Sequence, residues 1–266
     1  MDHLSKLENQ SIYVIREGYN QFRKVAMLWS IGKDSTTLLW LVRKAFFDKI
    51  PFPVVHLDTG YKFKEIYKFR DEYADKWDLN LKIYKNEKAI ARGVCPEKGK
   101  LECCSELKTN ALKDAIASFG FKALFLGIRR DEHGIRAKER VFSPRDDNFQ
   151  WNYKSQPPEL WDQYKTKKAE DEHIRIHPLL GWTELDIWEY IKRENIPITD
   201  LYLAKNGKRY RSIGCETCCN PVDSQADTID LIIEELKTTD VTERSGRAQD
   251  KESAYMMQKL RSLGYM

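Results

Sequence analysis

The chain contains no long uninterrupted apolar run and no signal-peptide pattern, so a soluble cytoplasmic protein with no membrane partner is expected. Neither charge dominates: 45 lysines and arginines stand against 41 aspartates and glutamates, a formal net charge of +4. That surplus permits contact with a polyanion but does not by itself argue for nucleic-acid binding. No internal repeat is visible, and no Gly-x-x-x-x-Gly-Lys precedes a Ser or Thr, which excludes the commonest phosphate loop. Cysteine is scarce, with six in 266 residues, and five of the six lie in two tight groups. A chain of this length can hold a sizeable core without disulfide staples, so such grouping points to metal or redox chemistry.

What is present is organised around Trp29-Ser30-Ile31-Gly32-Lys33-Asp34-Ser35-Thr36, which follows the apolar run Val25–Leu28 and precedes a helical pattern carrying Leu38, Leu39, Leu41 and Val42. A strand that turns sharply into a helix leaves backbone amides unpaired at the helix start. Those amides, with Lys33, form a receptor for the phosphates of a nucleotide. Ser30, Gly32, Lys33, Asp34 and Ser35 resemble the Ser-Gly-Gly-Lys-Asp-Ser loop of the PP-loop ATP pyrophosphatases, with Ile31 in place of the first glycine. The resemblance implies ATP as ligand and cleavage between its α and β phosphates.

Pro53 to Gly60 reads as a second buried strand, which sets Asp58, Thr59 and Gly60 at its carboxyl end beside the loop. Asp58 is expected to hold magnesium, and Thr59 and Gly60 to shape the ribose or adenine pocket, with His56 packing in the strand. Leu79–Tyr84 gives a third strand, a helix runs from about Cys104 to Phe119, and Ala123–Ile128 forms a fourth strand that delivers Arg129 and Arg130. Guanidinium forks suit phosphate and sulfate, so both arginines are placed at the anion. Arg136, Lys138 and Arg140 are divided between site and surface. Strand and helix alternate throughout, which predicts an α/β fold: a mostly parallel twisted sheet with helices on both faces.

Three segments are expected. Residues 1–22 form an amphipathic helical arm, and residues 23–200 form the nucleotide-binding domain with a lid-like excursion over 129–172. Residues 201–266 form a cysteine-containing, helical extension. Thr183 and Asp186 resemble an N-terminal helix cap, and His177 reads as a core histidine.

Cys103 and Cys104 adjoin at a helix start, and Cys215 and Cys218 carry a two-residue spacer in a Gly-containing turn. Four thiolates suit tetrahedral zinc or a four-iron cluster, and spacing alone does not choose between them. Cys103-Cys104-x-x-Leu-Lys and Ser212-Ile213-Gly214-Cys215-x-x-Cys218 resemble the paired motifs holding a 4Fe-4S cluster in adenylylsulfate reductases and in the ATP pyrophosphatases of DNA phosphorothioation. By that resemblance Cys103, Cys104, Cys215 and Cys218 are the ligands, while Cys219 and Cys95 are left over.

A wider resemblance, to the small subunit of ATP sulfurylase, takes in the loop, His56–Gly60, Arg129–Glu132 and Arg136–Arg140. It continues through Gln156–Trp161, Trp182–Trp188 and Ser245-Gly246-Arg247. That family lacks the four-cysteine set, so the reading combining both features is an ATP pyrophosphatase in DNA phosphorothioate modification. Its expected partners are a cysteine desulfurase and further DNA-modification subunits. The alternative is a sulfate adenylyltransferase small subunit working with a GTPase, and an adenylylsulfate reductase stands third, because Arg261–Met266 carries no redox cysteine. In the first two readings Lys33, Arg129 and Arg130 stabilise the transferring phosphate while Asp34 or Asp58 assists magnesium.

Overall fold

A computed structural model describes residues 1–146, 148–164, 173–248 and 255–264. Residues 165–172 of the expected excursion, and 249–254 and 265–266 of the expected carboxyl-terminal extension, lie outside the described residues. The chain opens with helix α1 (His3–Phe22), then strand β1 (Val25–Leu28), helix α2 (Lys33–Ala45), strand β2 (Val54–Leu57), helix α3 (Lys64–Lys76) and strand β3 (Leu81–Tyr84). Short helices α4 (Glu87–Ala91) and α5 (Lys100–Cys104) follow. A π-helical stretch over Ser105–Asn110 then joins α5 to α6 (Ala111–Phe119), which leads into strand β4 (Ala123–Phe125). Strands β5 (Phe142–Arg145) and β6 (His173–Ile176) come next, then helix α7 (Glu184–Glu194). A small hairpin of β7 (Lys208–Arg209) and β8 (Val222–Asp223) precedes helices α8 (Ile229–Thr238) and α9 (Met256–Ser262).

Six strands form one sheet in the order β3-β2-β1-β4-β6-β5, all parallel except β5, which runs antiparallel to β6. The expected mostly parallel α/β sheet is therefore present. β1 and β2 are buried along their whole length, as apolar runs covered on both faces must be. Successive side chains serve opposite faces: Val25, Met27 and Val54 join the larger core with α1, α2, α3 and α7, while Ala26, Leu28 and Val55 join the smaller core beneath α6. β5 carries Pro144, which an edge strand tolerates because the proline has no N–H to give a further neighbour.

The chain moves outward from β1 to β2 and β3, returns across the sheet to β4, passes to the far edge at β5 and comes back between these two as β6. The carboxyl ends of β1 and β4 consequently diverge into a crevice at the point where the strand order reverses, where open α/β sheets take their ligands. α1 closes the large core from the outside: Ser11 donates to the Pro178 carbonyl at 2.9 Å, and Val14 and Ile15 are buried. The expected cap of α7 is a capping box, with the Thr183 hydroxyl accepting from the Asp186 amide and the Asp186 carboxylate accepting from the Thr183 amide. Among the described residues no helix is long and apolar enough to cross a membrane.

Gly127, where β4 leaves the sheet, sets how closely that strand end approaches α2. A Cβ there would stand 3.0 Å from the Asp34 carbonyl group and the Ser35 Cα, which are backbone atoms of the first helical turn. Gly127→Ala is therefore expected to push the phosphate loop from its seat at a cost of about 1–3 kcal/mol. Chemical denaturation checks the loss, and stability unchanged from wild type would count against this packing.

Candidate functional site

The loop after β1 is fixed from within. The Trp29 indole N–H donates to the Thr36 hydroxyl at 3.1 Å, the Ser35 hydroxyl donates to the Gly32 carbonyl at 3.1 Å, and the Ser30 and Ser35 hydroxyls lie 3.0 Å apart. Ile31 adopts a φ of 64°, a left-handed conformation that strains a β-branched residue. Its side chain is buried in the large core, which offsets the strain and explains how this position dispenses with glycine. Gly32 is the N-cap of α2 and offers no side-chain cap, so the first amides of the helix face the crevice. The Lys33 amide donates at 2.8 Å to the hydroxyl of Tyr202, a residue 169 positions away.

Around this helix start lies a group of buried charges. Lys33 Nζ reaches Asp34 at 3.1 Å and also pairs with Glu243. Arg129 is wholly buried; its Nε donates to Asp131 at 2.9 Å and its two other nitrogens pair with Asp34 and Glu243. Glu132 pairs with Arg136 and, at 3.0 Å, with Arg244. Burial alone would raise the Glu132 carboxyl, but Arg136, Arg244, Arg129 and Lys33 hold it well below the glutamate range. Glu243 is likewise depressed against its burial, by Arg129 and Lys33. The cavity beside the loop has a volume of ≈140 Å³ and is lined by Ser30, Lys33, Asp34, Arg136, Arg244 and Arg247 among others. Lys62 and Lys108 also line it. Such a constellation of helix-start amides and cations is chemically suited to a polyphosphate.

Ser30, Gly32, Lys33, Asp34 and Ser35 thus come together at the cavity, and Arg129 stands behind Lys33 and Asp34. Other expected residues are placed differently. Arg130 is exposed: the chain alternates as it leaves β4, so when Arg129 turns inward its neighbour turns out. The Asp58 carboxylate accepts from the Gly60 amide and the Tyr67 hydroxyl, each at 2.8 Å, and does not line the cavity. Gly60 takes a φ of 77° in that turn, and the Thr59 hydroxyl lies 3.3 Å from Cys215 Sγ. Neither residue lines the cavity. Arg136, expected at site or surface alike, is buried against Glu132. His56 and His177 are buried with Nδ1 within 2.9 Å and 2.7 Å of the Trp29 and Arg140 carbonyls, as packing residues would be.

Glu243, Tyr202, Lys62 and Lys108 were not singled out by the sequence as site residues. The available signal for Lys108 was its place after the paired cysteines; the π-helical stretch there turns it into the cavity.

The thiols of the two cysteine groups lie within one another's electrostatic reach. Burial, with Cys104 and Cys215 nearby, pushes the Cys103 thiol up to about 12. Burial would also raise Cys215, but Lys108, Lys62, the Thr59 hydrogen bond and Arg247 bring it down to about 7. Cys219 Sγ accepts from the Gly214 amide and from Arg247 Nη1, both at 3.1 Å. Yet among the described residues no three His, Cys, Asp or Glu side chains are arranged to hold a metal ion. Cys103, Cys104, Cys215 and Cys218 are neighbours without forming a ligand set for 4Fe-4S or zinc.

The phosphoadenosine phosphosulfate reductase domain matches residues 24–221. Over its whole length the chain is 43% identical to sulfate adenylyltransferase subunit 2 of Zymomonas mobilis and covers 98% of that protein. It is 42% identical to the same subunit of Psychromonas ingrahamii, again with 98% covered. Among solved structures, the phosphoadenylyl-sulfate reductase of Candida auris is similar with a TM-score of 0.56 at 18% identity, over 84% of this chain and 97% of that one. The FMN adenylyltransferase of Candida glabrata, in complex with FAD and inorganic pyrophosphate, gives a TM-score of 0.59 at 20% identity, over 82% and 67%. Identities this low show a shared fold alone.

The full-length relatives correct the leading functional expectation. DNA phosphorothioate modification was read from the four cysteines, whereas the chain from end to end follows sulfate adenylyltransferase subunit 2. The thiols themselves do not form the ligand set on which that reading relied. The cysteine desulfurase and DNA-modification partners expected with it lose their support.

The buried histidines and glutamates set an acid limit on stability. Desolvation, with Lys62 nearby, lowers His56 from 6.5 to about 3, and desolvation lowers His177 well below 6.5. The unfolded chain therefore takes up protons below pH 6.5 that the folded chain refuses, so stability is complete above 6.5 and falls with pH. The slope approaches about 1.4 kcal/mol per pH unit for each buried histidine. Glu132 and Glu243 are depressed from 4.5, so their contribution is present above that value and lost beneath it. Unfolding measured from pH 7.5 to 4 should show both onsets, and His56→Gln should lessen the decline between 6.5 and 4.5. A pH-independent stability across that range would contradict the assignment.

Proposed function

The chain belongs to the phosphoadenosine phosphosulfate reductase domain family, and from that premise we propose that it is the nucleotide-binding subunit of a sulfate adenylyltransferase. The observation that carries this reading is the alignment with sulfate adenylyltransferase subunit 2 over the entire chain. The convergence of the α2 start and Lys33 on one cavity, with Arg129 paired to Asp34 behind them, supports it.

In this reading ATP lies with its β and γ phosphates against the Gly32–Ser35 turn. A sulfate oxygen attacks the α-phosphorus, the bond from that phosphorus to the α–β bridging oxygen breaks, and pyrophosphate leaves with the electron pair. Adenylylsulfate is the other product. Charge grows on the departing pyrophosphate as the bond breaks, and in this reading Lys33, at the cavity, stabilises it together with Arg129, which is paired behind it. Sulfate is itself the nucleophile, so no side chain is required to form a covalent intermediate. Asp34 is the cavity carboxylate next to Lys33 and would hold a magnesium ion together with the phosphates. Such an ion would neutralise phosphate charge. The relatives are named as second subunits. A larger GTP-hydrolysing partner subunit fits the chemistry, because the phosphosulfate anhydride formed lies uphill of the phosphoanhydride broken.

Exchange of labelled pyrophosphate into ATP, measured with the partner subunit present, is expected to require sulfate. Lys33→Ala and Arg129→Ala should each lower it by about 100-fold or more. Arg130→Ala, at an exposed position, should leave it unchanged. Exchange that proceeds without sulfate would overturn the reading.

A further inference from the structure

Two carboxylates span Lys33 and Arg129, Asp34 from the loop itself and Glu243 from 210 positions away, so Glu243 is the one that can withdraw while the loop stays in place. Its Oε1 pairs with Lys33 Nζ and its Oε2 with Arg129 Nη2, so one carboxylate bridges two cations with two oxygens, as a phosphate would. A phosphate group and Glu243 cannot hold those donors together. The Tyr202 hydroxyl does the same on the backbone side, accepting from the Lys33 amide at the helix start. We propose that Glu243 is a built-in phosphate surrogate, which the nucleotide must displace, and that the segment 242–247 carrying it sets the protein's affinity for polyphosphate.

The space around the segment fits displacement. The loop cavity of ≈140 Å³ is well short of the roughly 300–1,000 Å³ that sites for small ligands usually offer. A second cavity of ≈630 Å³ is lined by Glu243, Arg211 and Leu236, and Glu132 and Arg244 line both. Glu132 and Arg244, the latter adjoining Glu243 in the chain, therefore stand between the two spaces, and withdrawal of the segment that carries Glu243 and Arg244 would join them. Polar contacts hold the segment in place. Arg244 pairs with Glu132 at 3.0 Å, the Asn220 amide donates to the Gly246 carbonyl at 2.9 Å, and Arg247 donates to Cys219 Sγ at 3.1 Å. The proposal rests on the loop being a polyphosphate site and is indifferent to whether sulfate is the acceptor.

The test is titration calorimetry of the full chain with pyrophosphate and with an ATP analogue whose α–β link is a methylene, for wild type, Glu243→Asp and Glu243→Gln. If the carboxylate occupies the donors nine-tenths of the time, its removal strengthens binding about tenfold. Glu243→Gln should show that gain, and Glu243→Asp should remain near wild type. In wild type, the analogue should also speed amide hydrogen exchange over 242–247. A folded Glu243→Gln protein that binds both probes equally or more weakly would overturn the proposal. Should that variant fail to fold, exchange in wild type decides alone: faster exchange over 242–247 supports displacement, and unchanged or slower exchange refutes it. A wild type that binds neither probe would bring down the proposal together with the polyphosphate reading. Sulfate-independent pyrophosphate exchange would touch only the identity of the acceptor.

Discussion

The constraint on which the site depends is the burial of Lys33 and Arg129. An ammonium and a guanidinium taken out of water persist only if carboxylates or phosphates compensate them, since an unpaired buried charge costs several kcal/mol. Here Asp34 and Glu243 compensate both cations, and Asp131 holds Arg129 from behind. Replacing such a group by apolar side chains is often neutral or favourable to stability, so its presence is better explained by chemistry than by folding. Cations desolvated in advance act strongly on charge that develops during a reaction, because little solvent must reorganise around them.

The fold delivers these charges without special devices. β1 and β4 are neighbours in the sheet, and each ends at the crevice: β1 turns into α2 and supplies the amides and Lys33, while β4 exits through Gly127 to Arg129. The remaining parts come from the carboxyl-terminal third of the chain. Tyr202 and Glu243 close over the loop from segments that follow α7 and α8. Asp131 accepts from the Glu184 amide at 2.6 Å and Glu184 pairs with Arg211 at 2.8 Å, which ties the start of α7 to the same charge network.

Much of this was legible in the sequence, for identifiable reasons. Local spacing encodes the strand-turn-helix at Ser30–Ser35, and the alternation of apolar runs encodes a parallel sheet whose strand ends share one edge. Resemblance to the ATP sulfurylase small subunit runs through most of the chain and names the better functional reading, whereas four clustered cysteines are a local feature that points elsewhere. Cysteine spacing reports proximity, and it does not report whether thiols converge on a metal. Arg130 was assigned with Arg129 because a sequence does not reveal which of two adjacent residues turns inward at a strand exit. Asp58 was assigned by its place at a strand end, where its own turn and Tyr67 take the carboxylate instead. Glu243 was hidden most deeply: it lies 210 positions from Lys33, and only tertiary folding shows what it opposes.

The central claim is that a polyphosphate takes the donors at the start of α2. A crystal structure with an ATP analogue that resists cleavage between the α and β phosphates tests it most directly. The account predicts β and γ phosphate oxygens on the Gly32–Ser35 amides, Lys33 and Arg129, with Glu243 moved away from both cations. Nucleotide bound elsewhere, with the Lys33–Glu243 and Arg129–Glu243 pairs intact, would contradict it.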